Sequence, residues 1–95
     1  MHSKTKTVRT ALDELINSLG IQKKLREYDA LVFWETVVGD HIAKVTTVKR
    51  ITQGVLFVKV KTSTWRNELS LQKKNIVERL NATLGDQVVK DIKFQ

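Results

Sequence analysis

Ninety-five residues, 41% of them hydrophobic and 28% charged, suffice for one hydrophobic core and not for two. No apolar run approaches the roughly 20 residues that cross a bilayer, and the lack of cysteine excludes a disulfide scaffold or a thiolate metal site. The formal net charge of +7 is lopsided, with seven basic and six acidic side chains in residues 1–47 but ten and four in residues 48–95.

Residues 1–6 are polar, basic and aperiodic, and read as a flexible arm without the apolar stretch of a secretory signal. The folded domain is therefore expected to span residues 7–95 and to reside in the cytoplasm. Val8, Leu12, Leu15, Ile16 and Leu19 recur at helical spacing and Gly20 supplies a stop, which predicts a first amphipathic helix. Ile21, Leu25 and Tyr28 continue the pattern, while Leu31, Trp34, Val37 and Val38 form a second apolar face that Gly39 interrupts. This stretch reads as one or two helices, with a break near Asp29, then a short segment His41–Lys44 capped by Asp40.

The period then changes. Thr46–Thr52 is β-branched and alternating, Gln53-Gly54 is a turn signal, and Val55–Lys61 is the clearest strand. A hairpin centred on Gly54 follows. Ser63 or Thr64 caps a further helix in which Trp65, Leu69, Ile76 and Leu80 share one face, ending near Leu84-Gly85. A short strand, Val89–Phe94, closes the chain. The order α–α–β–β–α–β predicts an α+β domain whose three-stranded sheet carries its helices on one face.

No constellation supports catalysis. His2 and His41 lack a carboxylate or second histidine at ligand spacing, and Ser63 and Thr64 lack an activating base. The glycines at 20, 39, 54 and 85 stand singly at element boundaries rather than in a phosphate-cradling loop. Neither an enzyme nor a metal, cofactor or small-molecule substrate is expected. Trp34 and Trp65 fall on apolar stripes and read as core anchors before stacking platforms.

Charge and strand pattern point instead to polyanions. Between Val48 and Asn67 lie five bases and no acid, a field that attracts nucleic acid. Alternation puts Leu56, Val58 and Val60 on the core face and Phe57, Lys59 and Lys61 on the other. An aromatic ring beside two lysines on an open sheet combines base stacking with phosphate neutralisation. The same pattern fits a Phe57 covered by a flanking helix, with solvated lysines. Strict alternation sends Lys49 and Arg50 to opposite faces, so only one of them joins this surface. Lys49, Arg50, Phe57, Lys59, Lys61, Arg66 and Lys74 are the candidate nucleic-acid contacts. Lys73 falls inside the apolar arc of its helix and is expected to snorkel from the core margin. Leu71, on the far side of its helix from the core stripe, is the candidate protein contact. The competing reading is an adaptor that docks its basic face on an acidic protein.

The segments Trp34-Glu35-Thr36-Val37-Val38-Gly39 with Ile42-Ala43, Gly54 to Val60, Ser63 to Leu69, Leu80-Asn81 and Ile92-Lys93-Phe94 resemble the bacterial DciA family, domain of unknown function 721. The resemblance covers nearly all of residues 8–95. It implies a compact KH-like domain of a family whose better-known members bind DNA and help load the replicative helicase, while the residues themselves leave DNA or RNA, and single or double strand, open. Two features depart from it. There is no GxxG loop of the KH type, and no long C-terminal extension follows the last strand. Nucleic-acid binding without complete loader activity is therefore expected.

Overall fold

The computed structural model describes residues 7–95. The predicted arm at residues 1–6 lies outside the described residues, as do the side chains of residues 16–19. The elements are α1 (Val8–Leu19), α2 (Ile21–Val38), α3 (Asp40–Val45), β1 (Thr46–Thr52), β2 (Val55–Val60), α4 (Ser63–Leu71), α5 (Lys73–Leu84) and β3 (Asp91–Phe94). This is the predicted α+β order, with the helical tracts cut finer.

α2 runs unbroken past Asp29, since neither glycine nor proline interrupts it and Glu27, Ala30, Trp34 and Val37 form one buried stripe. Gly39, at φ 86°, holds the position before α3, so Asp40 is a first-turn residue and not a cap. The tract after the hairpin bends at Gln72 (φ −96°, ψ 2°). That bend lets α4 lie on β2 and β3 while α5 runs along α2. Thr62 caps α4, one residue before the predicted Ser63 or Thr64, its Oγ1 accepting the Trp65 N–H at 3.1 Å.

β2 is the central strand, antiparallel to β1 and parallel to β3. The parallel step requires a crossover, which α4 and α5 provide. Leu56, Val58, Val60 and Ile92 form the sheet side of the core, against Ala30, Trp34 and Val37 of α2, Leu69 of α4, and Ile76 and Leu80 of α5. Trp34, 1% exposed, is a core anchor. Its indole N–H donates to Thr46 Oγ1 at 3.0 Å, whose hydroxyl donates to Ile42 O at 2.8 Å. Trp65 is half-buried and packs against the same cluster.

The last strand starts at Asp91 and not at Val89, because the preceding loop is held by a side chain. Asn81 Nδ2 donates to Val89 O at 2.9 Å, and its Oδ1 accepts the N–H groups of Val88 and Val89 at 3.0 and 2.8 Å.

The hairpin loop has two residues, Gln53 and Gly54, with φ 51° and 83°. Positive φ at both central positions is the type I′ turn, whose twist suits paired strands. Gly54 is needed twice over: a Cβ there would lie 2.9 Å from Lys90 Cγ. Its N–H donates to the buried Glu27 carboxylate at 3.0 Å, and its carbonyl accepts the Lys90 N–H at 2.8 Å. Gln53 bears the same conformation with a side chain. Gln53→Asn is expected to raise stability by about 0.5 kcal/mol and the melting temperature by roughly 2–4 °C. A scanning calorimetry comparison with no rise would show that the turn carries no strain at Gln53.

Candidate nucleic-acid interface

The register of β1 on β2 decides which side chains meet. Thr46, Thr47 and Val48 pair with Val60, Lys59 and Val58, but Arg50, Ile51 and Thr52 pair with Phe57, Leu56 and Val55. Lys49 is the extra residue of a β-bulge. Bulges bend an edge strand and re-aim its side chains. Here the shift lets Val48 and Ile51 both pair with core-facing residues and brings Arg50 to the outward face. The simple alternation expected for Lys49 and Arg50 is therefore broken, and it is Arg50 that joins the Phe57 surface.

The Arg50 guanidinium carbon lies 4.1 Å from the centroid of the Phe57 ring, within cation–π range. On the other side, β3 sets Lys93 directly beside Phe57. A row Arg50–Phe57–Lys93 thus crosses the whole sheet, with Thr47 and Lys59 in the next row. Arg50, Lys59 and Lys93 are exposed and Phe57 is half-buried. The helices pack on the other face, against Leu56, Val58 and Ile92. Phe57 therefore belongs to an open surface and not to a helix-covered one.

One acid shares the edge of this face. Asp91 pairs with Val55 in the sheet register, and Lys73 Nζ lies 3.1 Å from its carboxylate. Partial burial alone would raise the Asp91 pKa, but the Lys73 hydrogen bond, the Ile92 N–H and the charges of Lys73 and Lys93 outweigh it. Its carboxyl is held below the usual carboxylate value and stays ionised and paired at neutral pH. Lys73, expected to snorkel at the core margin, is the residue that neutralises it.

The remaining predicted contacts divide. Lys61 follows β2 directly, is exposed, and has its N–H on Val45 O at 2.9 Å. Arg66 and Lys74 sit on α4 and α5, the layer covering the opposite face, so the fold does not bring them to Phe57. Leu71 ends α4 with 77% of its surface exposed. Lys93 was not among the predicted residues. Its alternation with Ile92 and Phe94 is visible in sequence, but its place beside Phe57 depends on the parallel pairing of β3.

A second surface lies away from the sheet. Val8, Leu12 and Leu15 of α1, with Ile21, Leu25, Tyr28, Val32 and Phe33 of α2, are all exposed. Among the described residues no group of three or more His, Cys, Asp or Glu side chains could hold a metal ion, and no helix is long and apolar enough to cross a membrane.

The sequence profile of the family described as Dna(CI) antecedent, DciA, matches residues 7–94. The chain belongs to the DciA family. A UPF0232 protein of Mycolicibacterium smegmatis is 30% identical over 81 residues, covering 85% of this chain and 42% of that protein. A UPF0232 protein of Rhodococcus jostii is 30% identical over 75 residues, covering 79% and 40%. One from Mycobacterium tuberculosis is 28% identical over 84 residues, covering 88% and 45%. The chain spans less than half the length of these curated relatives. The DciA match takes in every element from α1 to β3, so the bulge and the Arg50–Phe57–Lys93 row lie inside the family's domain.

Proposed function

We propose that this DciA-family domain binds nucleic acid on the open face of its sheet, as a cytoplasmic accessory to replicative helicase loading in bacteria. The observation that carries the binding reading is the row Arg50–Phe57–Lys93 with Lys59 beside it. Arg50 covers one face of the Phe57 ring, so a base would stack on the guanidinium plane or on the ring's other face, and the cations neutralise the phosphates on either side. Such contacts read the backbone and not the sequence, so binding without strong sequence preference follows. DNA as the polymer, and the helicase as the partner, rest on family membership. The KH-like relationship implied by the resemblance suits this use, but the one-residue junction at Gln72 contains no GxxG clamp. The binding face is accordingly assigned to the sheet.

The exposed apolar stripe of α1 and α2 favours a protein contact alongside. Apart from Tyr28, which borders the β1 edge, that stripe is the surface we assign to the helicase; Leu71 on α4 is a further candidate contact, and the sheet is left for the polyanion. The adaptor reading differs in placing an acidic protein on the basic face.

A salt titration of oligonucleotide binding tests the proposal. Affinity should fall linearly on a log–log plot, and Lys59→Ala with Lys93→Ala should flatten the slope by roughly 1.5, since each lost contact removes about 0.7–0.9. Affinity at low salt should drop at least about tenfold in this double variant. Binding that ignores salt, or a double variant that binds like the wild type, would remove the sheet face from consideration. Loss of protein-partner binding with intact nucleic-acid binding in that variant would favour the adaptor.

A further inference from the structure

The sheet face ends at β1, an edge strand. Edge strands expose unpaired backbone groups and are commonly guarded against strand addition by charge and bulges. β1 has both at one place, the Lys49 bulge followed by Arg50. Immediately beyond, α2 and β1 enclose a cleft of about 230 Å³ lined by Lys24, Tyr28, Leu31, Lys49, Arg50 and Ile51. Glu27 also borders it, but its side chain is buried and its carboxylate accepts the Gly54 N–H. The cleft therefore sets three exposed cations against one buried carboxylate, a net positive charge around one aromatic ring, and Tyr28 is 62% exposed.

Arg50 belongs to both sites: it lies over the Phe57 ring and lines the cleft. We propose that a single-stranded nucleic acid crosses the sheet along Lys93, Phe57 and Arg50, then turns over the β1 edge so that Tyr28 stacks a second base between Lys24 and Lys49. This inference rests on the sheet-face reading above and adds a substrate form and a second stacking position to it. One strand spacing of about 4.8 Å separates β2 from β1, whose Lys49, Arg50 and Ile51 line the cleft, a step that nucleotides about 3.4 Å apart along a single strand can take. A duplex cannot follow it, because its bases are already stacked and paired and offer no faces to two rings on either side of an edge.

The test compares Tyr28→Ala, Tyr28→Phe and the Lys59→Ala/Lys93→Ala double variant, using an oligothymidylate and a matched duplex at one low salt concentration. Tyr28→Ala should weaken oligothymidylate binding by about tenfold, within the roughly 5- to 150-fold that one stacked base is worth, and should leave the salt slope unchanged. Tyr28→Phe should bind like the wild type, since the ring remains. Duplex binding should be unaffected by either change. Because Tyr28 is exposed, melting temperatures should stay level. Photocrosslinking of an oligonucleotide carrying 5-iodouracil should also tag Tyr28 together with Phe57.

Normal oligothymidylate binding by Tyr28→Ala, with the double variant impaired, would overturn the track and leave the sheet face standing. Equal losses on single strand and duplex would overturn the single-strand assignment. A wild-type chain that binds neither polymer at low salt would overturn both readings together.

Discussion

Trp34→Ala is expected to lower unfolding free energy by about 3–5 kcal/mol, a large share of what a domain this size holds. Removing a buried tryptophan forfeits its transfer energy and leaves a cavity that the neighbours fill only in part. At roughly 0.05–0.15 kcal/mol per residue, a chain of 95 residues has about 5–14 kcal/mol in total. The ring is 1% exposed, and its centroid lies 6.5 Å from that of Phe94 on β3. It thus joins α2 to both edge strands, through Thr46 on β1 and Phe94 on β3. Trp34→Phe separates the two roles. It keeps much of the packing but withdraws the N–H from Thr46 Oγ1, and should cost about 1–2 kcal/mol beyond the smaller ring. Urea denaturation followed by circular dichroism measures both, and Trp65 remains as a single fluorescent reporter in either variant. A loss below about 1 kcal/mol for the alanine variant would mean that Trp34 is not the anchor of this core.

Much of this was legible from residue spacing alone. The run Val55 to Val60 alternates cleanly, so its core face and its Phe57 face follow from period two. Trp34 on an apolar stripe read correctly as core. What spacing cannot carry is register. One extra residue at Lys49 inverts every later assignment on β1, and nothing in Lys49-Arg50-Ile51 announces it. The bulge, not the alternation, places Arg50 on Phe57.

Two other differences have the same origin in tertiary contacts. Lys93 became part of the candidate face through parallel pairing across a long crossover, a relation no local pattern encodes. Arg66 and Lys74 left it because charge density along the chain says nothing about which layer a helix joins. The stripe of α1 shows the converse limit. Val8, Leu12 and Leu15 have the periodicity of a buried face, yet they remain exposed. Periodicity reports that a helix has an apolar side, and only packing decides whether that side is covered. Similarly, Thr62 caps α4 although Ser63 and Thr64 are chemically equal candidates, because only Thr62 has extended backbone (φ −131°, ψ 154°) with its hydroxyl on the Trp65 N–H.

Asn81→Asp should act through the loop that delivers β3 to the sheet, and should do so in a pH-dependent way. Asn81 is 5% exposed and uses both ends of its amide, donating to Val89 O and accepting from the N–H groups of Val88 and Val89. A carboxylate keeps the two acceptor contacts but faces the Val89 carbonyl with an oxygen where a donor is required. The two N–H bonds favour the charged form, but burial and that repulsion oppose it and are expected to prevail, so the introduced carboxyl should have a folded pKa above its unfolded value of about 3.9. The penalty is then fully present above the folded pKa and shrinks as pH falls through it, when the protonated group can donate to Val89 O again. At neutral pH the variant should lose about 3 kcal/mol, the scale of an uncompensated buried charge. Measured against the wild type, the deficit should narrow between pH 7 and pH 5, whereas Asn81→Ala, which leaves the same backbone groups unpaired at any pH, should show a constant loss. A deficit of Asn81→Asp that is flat or grows on acidification would contradict the donor role of its amide. The binding consequence follows from the same contacts: this loop runs straight into Asp91 and Lys93, so a chain that survives with it loosened should bind oligonucleotide more weakly at pH 7, and regain affinity relative to the wild type as the carboxyl protonates.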